Sequence, residues 1–285
     1  MKESQKFHRI VKKVLDDNGL FVSQDSLYHF TDINGLFGII EKNELWLSER
    51  NYMNDINDEI FVKTYVKRFF TKSKDEWEQF ENELIPSKNQ YIFSTSTDKD
   101  SIHQWTYYGS KDSYCIEFDR KSLIDLFYRF NKAKDLYYGP VLYENKKTFE
   151  IANNIISEYS SLLYDKNSIF KIDNDNFDDK KFSEFKRVYQ YFYSLIKQAG
   201  HSCENEYRFL LQNDNNPKFR IRNGLFIPYI VVNSIETTKK KLPIKKIYIG
   251  PNSYETNAKE NLEYFLRKNN YENVVVDKSE MNIRR

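Results

Sequence analysis

Three short polar clusters follow apolar segments of the chain and could supply the groups of an active site. They are Tyr-His-Phe-Thr at residues 28–31, Phe-Ser-Thr-Ser at 93–96 and Glu-Asn-Glu at 204–206. Together they offer an imidazole, hydroxyls and carboxylates, which can bind sugar hydroxyls, accept a proton and stabilise positive charge that develops during a reaction. The pattern predicts that three strands far apart in the chain bring these groups to one crevice.

The first cluster places His29 at the end of a strand, directly before a helix that Thr31 or Asp32 would cap. An imidazole in this position can donate a hydrogen bond to a ribose hydroxyl, and the exposed amides of the helix could favour a phosphate. We therefore count His29 and Thr31 as candidate cofactor contacts. The alternative is a buried histidine that is hydrogen-bonded to the backbone.

The second cluster ends an apolar strand in three hydroxyls. Side chains alternate along a strand, so Ser94 and Ser96 are expected on one face and Thr95 on the other. Ser94 and Ser96 could hold a carboxamide or orient a neighbouring carboxylate. They could equally be capping serines at an ordinary transition from strand to loop.

The third cluster opens a strand with two carboxylates, Glu204 and Glu206, which the same alternation would place on one side. One could bind a sugar hydroxyl and stabilise positive charge at the anomeric carbon, while the other accepts a proton from the attacking group. The alternative is a charged edge strand with Arg208 in a surface ion pair.

Further candidates lie outside the three clusters. Trp105 and Tyr108 have the i and i+3 spacing of one helix face, which serves packing or the stacking of a nicotinamide or nucleobase. Gln104 beside them could bind an amide edge. Asn54 could bind an adenine-side ribose, and Arg50 could contact a phosphate or the acceptor.

The pattern of apolar residues predicts an α+β protein, with strands near both ends of the sequence and a helical insert at about 146–198 in a single domain of residues 1–285. Strands are predicted at 27–30, 45–47, 90–96, 113–118, 137–143, 206–211, 219–222, 225–232, 244–249 and 273–276. Helices are predicted at 8–17, after residue 32, and at 58–70, 74–85, 101–108 and 255–268.

Composition favours a packed intracellular protein. The 285 residues are 40% hydrophobic with only 8 Gly and 6 Pro, and no apolar run approaches the roughly 18 residues of a membrane span. Two cysteines exclude a disulfide framework and show no zinc spacing, so we predict no metal and a cytoplasmic location. From residue 201 onward, 15 Lys and Arg face 10 Asp and Glu, a surplus of 5 positive charges that could contact nucleic acid.

The ordered motifs resemble a widespread group of bacterial proteins catalogued as a domain of unknown function. The order of a His strand, a Ser-Thr-Ser strand and a Glu-x-Glu strand also resembles the ADP-ribosyltransferase superfamily, and its opening segment looks like DNA-targeting toxins of that superfamily. The motifs shared with the bacterial group are residues 28–31, Leu-Trp-Leu at 45–47, Asn-Asp at 54–55, residues 93–96, Gln-Trp at 104–105 with Tyr108, Glu-x-Glu-x-Arg at 204–208 and Ile-Gly-Pro at 249–251.

This resemblance implies a split, mixed or antiparallel sheet and an enzyme that uses NAD. By the same resemblance His29 would bind the adenine-side ribose, and Ser94 and Ser96 would shape the nicotinamide pocket. Glu206 would stabilise the transition state, and Glu204 would take the proton from the acceptor. Proteins of this kind are frequently toxins or phage-defence effectors, which implies a nucleic-acid or protein acceptor, with nucleic acid slightly favoured, and an antitoxin or accessory partner.

Two other functions stay open. The same fold could serve as a non-catalytic module that binds a nucleotide or nucleic acid and acts as a sensor. A nuclease or phosphotransferase acting on RNA ends would need basic residues around His29, and the local sequence has none.

Overall fold

The structure is a computed structural model that describes most of the chain in separate ranges. These are residues 24–53, 89–108, 112–130, 136–153, 190–213, 216–222, 224–251 and 255–281, with residues 16, 22, 61, 64, 67 and 186. The chain groups into two units. The first, here called the sheet unit, is Ser23–Tyr52, Tyr91–Tyr138 and Ser202–Arg285; the second unit is Met1–Val22, Met53–Gln90 and Gly139–His201.

The described residues form an α+β structure, as the sequence predicts. Its strands are β1 (Ser26–Asp32), β2 (Glu44–Glu49), β3 (Gln90–Ser96), β4 (Ser113–Asp119), β5 (Leu136–Pro140), β6 (Leu142–Tyr143), β7 (Ile196–Lys197), β8 (Glu206–Gln212), β9 (Lys218–Arg222), β10 (Leu225–Asn233), β11 (Ile244–Ile249) and β12 (Val275–Lys278). Its α-helices with defined bounds are α1 (Ile33–Lys42), α2 (Ile102–Tyr108), α3 (Arg120–Phe130), α4 (Ser234–Thr238) and α5 (Glu255–Lys268), and 3-10 helices occupy Arg50–Tyr52 and Ala199–Glu204.

The large sheet is mixed and mostly antiparallel. Its strand order is β12-β11-β4-β1-β3-β2-β10-β9, with β8 paired to both β3 and β5. Among the pairs of this sheet whose register the structure defines, only β11–β12 is parallel. The four strands from the first 120 residues lie side by side, and strands from the last 80 residues flank them on both sides and pair with β3, so residues distant in sequence become neighbours.

The sheet branches at β3, which has three partners although a strand has only two edges. Thr97 N donates to Asn205 O, so the odd-numbered backbone groups of β3 point toward β8. The opposite edge is shared by β1, which meets it at Ser96, and by β2, which meets it at Ile92 and Tyr91. Ser94 therefore lies at the point where β1 and β2 separate.

Apolar side chains cover both faces of β3 and its neighbours. On one face the ring of Phe93 packs with Phe118, Phe127 and Phe209 at centroid distances of 5.7 to 6.5 Å. The other face of the adjoining strands carries a buried cluster beneath α2, made of Phe30, Trp105, Cys115 and Tyr248. This two-sided burial holds the polar branch point at Ser94 in a rigid surrounding.

Most predicted elements coincide with observed ones, and β3, β11 and α5 have the predicted bounds. In α1 the Asp32 side chain accepts from Gly35 N and caps the helix, which settles the choice between Thr31 and Asp32. The helical spacing of Ile33, Leu36, Phe37 and Ile40 predicts one apolar face of α1. Leu36 and Ile40 are buried, but Ile33 and Phe37 are 41% and 47% exposed. The predicted helices at 8–17, 58–70 and 74–85 lie almost wholly outside the described residues.

Helix α3 is absent from the sequence prediction, although its signals are present. Asp119 Oδ1 accepts from the backbone N of Ser122, which caps the helix, and the buried positions Leu123, Leu126 and Phe127 have helical spacing. The short helix α4 is also missed. The predicted strand at 137–143 is divided into β5 and β6 at Val141.

The second unit contains the described part of the predicted insert. Residues 146–153 and 190–195 are helical, as predicted, and β6 pairs in parallel with β7. Asn145 Oδ1 accepts from Thr148 N, and the Thr148 hydroxyl donates to Tyr143 O, which together fix the first turn of the helix. The assignment of residues 1–285 to a single domain stays a prediction.

Hydrogen bonds and an ion pair join residues 279–280 to the segment directly before α2. Asp100 accepts hydrogen bonds from the Trp105 indole, the Ser279 hydroxyl and the backbone N of Glu280. Lys99 forms an ion pair with Glu280 at 3.0 Å. No helix within the described ranges is long and apolar enough to cross a membrane.

Candidate functional site

Glu206 opens β8 and is held by two donors at the branch point. Ser94 Oγ donates to Glu206 Oε1 at 2.7 Å, and Arg208 Nε donates to the same oxygen at 2.7 Å. The side chains of Glu206 and Arg208 are only 6% and 5% exposed. The structure thus brings the predicted Ser94 and Glu206 together across 112 residues of sequence, and the alternative of a surface ion pair for Arg208 is wrong because that pair is buried.

This arrangement fixes both the charge and the direction of the carboxylate. A carboxylate removed from water is unfavourable unless it is paired and hydrogen-bonded. Arg208 supplies the opposite charge and Ser94 a neutral donor, so Glu206 is stabilised as the anion. A fixed anion can stabilise a cation that develops beside it, although Arg208 offsets part of the negative charge.

The other hydroxyls of β3 support the approach to β8. Ser96, which is 1% exposed, donates to Glu204 O at 2.8 Å, and Gln104 Nε2 donates to the same carbonyl at 3.0 Å. Thr95 donates to Tyr207 O at 2.8 Å. Ser96 and Gln104 therefore hold the chain that leads into Glu206, and in this structure the Gln104 amide nitrogen is engaged by the protein.

Glu204 does not share a strand with Glu206, so the predicted alternation of the two carboxylates is wrong. Glu204 ends the 3-10 helix Ala199–Glu204, and Asn205 has a φ of 45°, in the left-handed region that asparagine adopts more readily than most residues. The chain turns between the two glutamates. Glu204 is buried, and both carboxylates still act on Tyr108.

The charges of both carboxylates act on the phenol of Tyr108. Burial raises the pKa of Tyr108, and the charges of Glu204 and Glu206 raise it further. Tyr108 is therefore a neutral phenol at physiological pH, and it can donate a hydrogen bond near both acidic groups. The ring keeps partial exposure, which leaves it available to a ligand.

His29 contacts the same residue of β3 from the other side. Its Nδ1 lies 2.9 Å from Ser94 O, and because a carbonyl can only accept, Nδ1 is the donor. The imidazole occupies the edge of β3 that β1 and β2 leave open, and it stacks on Phe93 at 4.6 Å. Phe93 and Ser94 point to opposite faces of β3. His29 therefore lies on the Phe93 face and Glu206 on the Ser94 face, and both side chains are hydrogen-bonded to Ser94.

The protonation of His29 follows from this position. Burial of the ring lowers its pKa, the hydrogen bond to Ser94 opposes that change, and the positive charge of Arg220 lowers the pKa again. The neutral ring therefore carries its proton on Nδ1 and presents Nε2 as an acceptor. The sequence analysis expected His29 to donate to a ribose hydroxyl; with this tautomer the hydroxyl would donate to His29.

The remaining predicted residues that the structure describes are buried or partly buried. Trp105 is fully buried and packs edge-to-face on Phe30 at 4.8 Å, so it is a core residue and the predicted ligand stack is wrong for it. Thr31 is partly buried at the end of β1, against α1. Arg50 is buried in the 3-10 helix after β2, and Asn54 lies outside the described residues.

Two residues at the branch point escaped the sequence analysis as candidates. Arg208 was recognised only as a possible surface charge, because spacing along a strand does not show which face is covered. Arg220 on β9 extends across the sheet to Ser48 on β2, with Nη2 donating to Ser48 Oγ at 2.7 Å. No local motif marks either Arg220 or Ser48.

The described residues contain no group of three or more His, Cys, Asp and Glu side chains arranged to hold a metal ion. Comparison with curated proteins gives no match, and comparison with solved structures gives none either. Residues 104–209 match a protein family described as a protein of unknown function (DUF2971). The matched segment begins in α2 and ends in β8, so it contains Gln104, Tyr108, Glu204, Glu206 and Arg208 and agrees with the resemblance to a domain of unknown function.

Proposed function

We propose that the chain is an ADP-ribosyltransferase that uses NAD and modifies a nucleic acid or a protein in the cytoplasm. The observation that carries the proposal is the pairing of Ser94 Oγ with Glu206 Oε1, together with His29 on the carbonyl of the same Ser94. Groups from an early, a middle and a late strand thus meet at Ser94, with the imidazole on the Phe93 face of β3 and the carboxylate on the other face, and this meeting supports the proposal.

In the proposed reaction the bond between the nicotinamide nitrogen and ribose C1′ breaks, and its electron pair leaves with nicotinamide. Glu206 stabilises the positive charge that develops at C1′ and binds the 2′-hydroxyl. A nucleophile on the acceptor then forms a bond to C1′ and loses its proton to Glu204. Ser94 and Arg208 hold Glu206 in place before the reaction, which reduces the reorganisation that the transition state requires.

The test measures nicotinamide release from NAD, with and without candidate DNA, RNA and protein acceptors. Glu206→Gln should lower the rate by about two to four orders of magnitude, as removal of one preorganised electrostatic group does. Ser94→Ala keeps the buried ion pair and removes only the orienting hydroxyl, so a decrease of about ten- to a hundredfold is expected. Glu236→Gln, at an exposed glutamate of α4, is the matched control and should leave the rate unchanged.

Two outcomes would contradict the proposal. Absence of nicotinamide release by the folded wild type with every acceptor would overturn the enzymatic assignment. Wild-type rates in both Glu206→Gln and Ser94→Ala would remove this pair from the reaction. Mass spectrometry of cellular DNA, RNA and protein after expression of the active form would identify the acceptor by the mass added, and co-purification would reveal an antitoxin or accessory protein.

The ion pair itself favours a second candidate function. Because Arg208 lies within hydrogen-bond distance of Glu206, the carboxylate has less negative charge to offer a cation than an unpaired one. A module that binds a nucleotide or nucleic acid without turnover would keep the same residues around Ser94 and tolerate this neutralisation. A rise in melting temperature with NAD but no nicotinamide release would favour this sensor over the enzyme.

A further inference from the structure

Arg220 has a positive charge for which the described residues provide no counter-ion. Its Nη2 donates to the neutral hydroxyl of Ser48 at 2.7 Å, and its Nε is buried without a hydrogen-bond partner. Within the described part of the chain, no carboxylate pairs with Arg220. A guanidinium that is partly withdrawn from water normally finds an anion, because desolvation of an unpaired charge is unfavourable.

The neighbours of Arg220 increase this positive charge. Lys218, Arg220 and Arg222 alternate along β9 and so point to one face of the sheet. Burial lowers the pKa of Arg220, and the like charge of Arg222 lowers it again, as expected for two guanidinium groups on one face of a strand. Arginine stays protonated under such conditions, so the repulsion remains in the folded protein.

Arg220 also lies beside the candidate site. It crosses from the edge strand β9 to Ser48 on β2, and Ser48 is the partner of Ile92 on β3. Its charge reaches the imidazole of His29, whose pKa it lowers. The fold thus gives His29 the basic neighbour that its own sequence surroundings lack, and it does so at the opening between β1 and β2.

We propose that Arg220 and Ser48 form a binding site for the phosphoryl groups of a nucleotide, with Nε2 of His29 accepting from the adjoining ribose hydroxyl. The Nη groups of the guanidinium can donate to phosphate oxygens while Nε stays buried, and the Ser48 hydroxyl, in a residue only 5% exposed, accepts from Nη2 and can turn its own hydrogen toward the anion. The anion would supply the counter-charge that Arg220 lacks in the free protein. The inference rests on the proposed function in that the ligand is a nucleotide, but it does not depend on turnover.

The test compares the binding of ADP and adenosine to the full chain by isothermal titration calorimetry. The wild type should bind ADP at least tenfold more tightly than adenosine, and this preference should weaken as salt rises. Arg220→Gln should weaken ADP binding about ten- to a hundredfold and leave adenosine binding unchanged. Lys121→Gln, which removes an exposed charge from α3, is the control and should change ADP binding less than threefold.

A second variant covers the case in which Arg220→Gln fails to fold. Ser48→Ala keeps the guanidinium and removes one donor, so ADP binding should weaken severalfold. Equal affinity of the wild type for ADP and adenosine, or wild-type ADP binding by a folded Arg220→Gln, would overturn the inference. ADP binding that depends on Arg220 without nicotinamide release would support this site and refute the proposed enzyme, whereas nicotinamide release that Arg220→Gln leaves unchanged would do the reverse.

Discussion

Replacement of Arg208 tests whether the Glu206 carboxylate is as buried and as dependent on its partner as the structure indicates. Arg208→Met keeps much of the side-chain volume and removes the charge. Because the exposed fractions of the two side chains are 5% and 6%, water screens their interaction only weakly. Removing one partner of such a pair costs about 3 to 5 kcal/mol, and we expect this loss in the free energy of unfolding at pH 7.

The dependence on pH gives a second measure of the same interaction. Without the guanidinium, burial should raise the pKa of the Glu206 carboxyl above its unfolded value of about 4.3. The folded variant then binds a proton that the unfolded chain releases, so its stability falls as pH rises through the raised pKa. The free energy of unfolding that Arg208→Met loses relative to the wild type should therefore be smallest near the unfolded pKa of about 4.3 and should grow toward neutral pH.

Urea unfolding of the wild type, Arg208→Met and Glu206→Gln/Arg208→Met at several pH values measures both effects. The double variant removes both charges of the pair, so it should lose the pH-dependent deficit and recover part of the stability. A deficit below about 1 kcal/mol for Arg208→Met, with no change over pH, would correspond to a solvent-exposed pair and would refute the reasoning.

Two further predictions concern the surroundings of the site. Because the pKa of His29 is lowered on folding, the unfolded chain takes up a proton first as pH falls below about 6.5. Wild-type stability should fall there by at most about 1.4 kcal/mol per pH unit, and urea unfolding of His29→Asn should show a smaller decrease. A Cβ on Gly250 would lie 2.2 Å from Ser113 Oγ and 2.7 Å from Ser113 O. Gly250→Ala should therefore destabilise the protein by about 1 to 3 kcal/mol, whereas Gly38→Ala, where a Cβ meets nothing within 4 Å, should not; equal melting temperatures would contradict this clash.

Periodicity predicted the framework of the site because strand alternation and helix spacing are local properties. The sequence placed Ser94 and Ser96 on the same side of β3, and it anticipated that Ser94 would orient a carboxylate. The structure contains that contact. The same reasoning extended the alternation to Glu204, where it failed, because Asn205 turns the chain in a left-handed conformation that no apolar pattern encodes.

Long-range packing accounts for what periodicity could not predict. The Trp105 indole has a nearby acceptor in Asp100 and lies in the core, whereas its sequence neighbours suggest a ligand stack equally well. The contact of Arg220 with Ser48 joins residues 172 positions apart and depends on β10 lying between β9 and β2. A single sequence shows the charge of Arg220 and the hydroxyl of Ser48, but the sheet order that joins them arises only from the assembled fold.

The anchoring of residues 279–280 on Asp100 has a practical consequence for experiments on this protein. The same carboxylate receives the Trp105 indole, so residues 279–280 help to fix the helix that carries Gln104 and Tyr108. Shortening the chain after residue 278 would remove two of those bonds and loosen the helix while leaving every proposed ligand contact intact. Loss of activity in a variant that lacks residues 279–280 should therefore be attributed to mispositioning of α2.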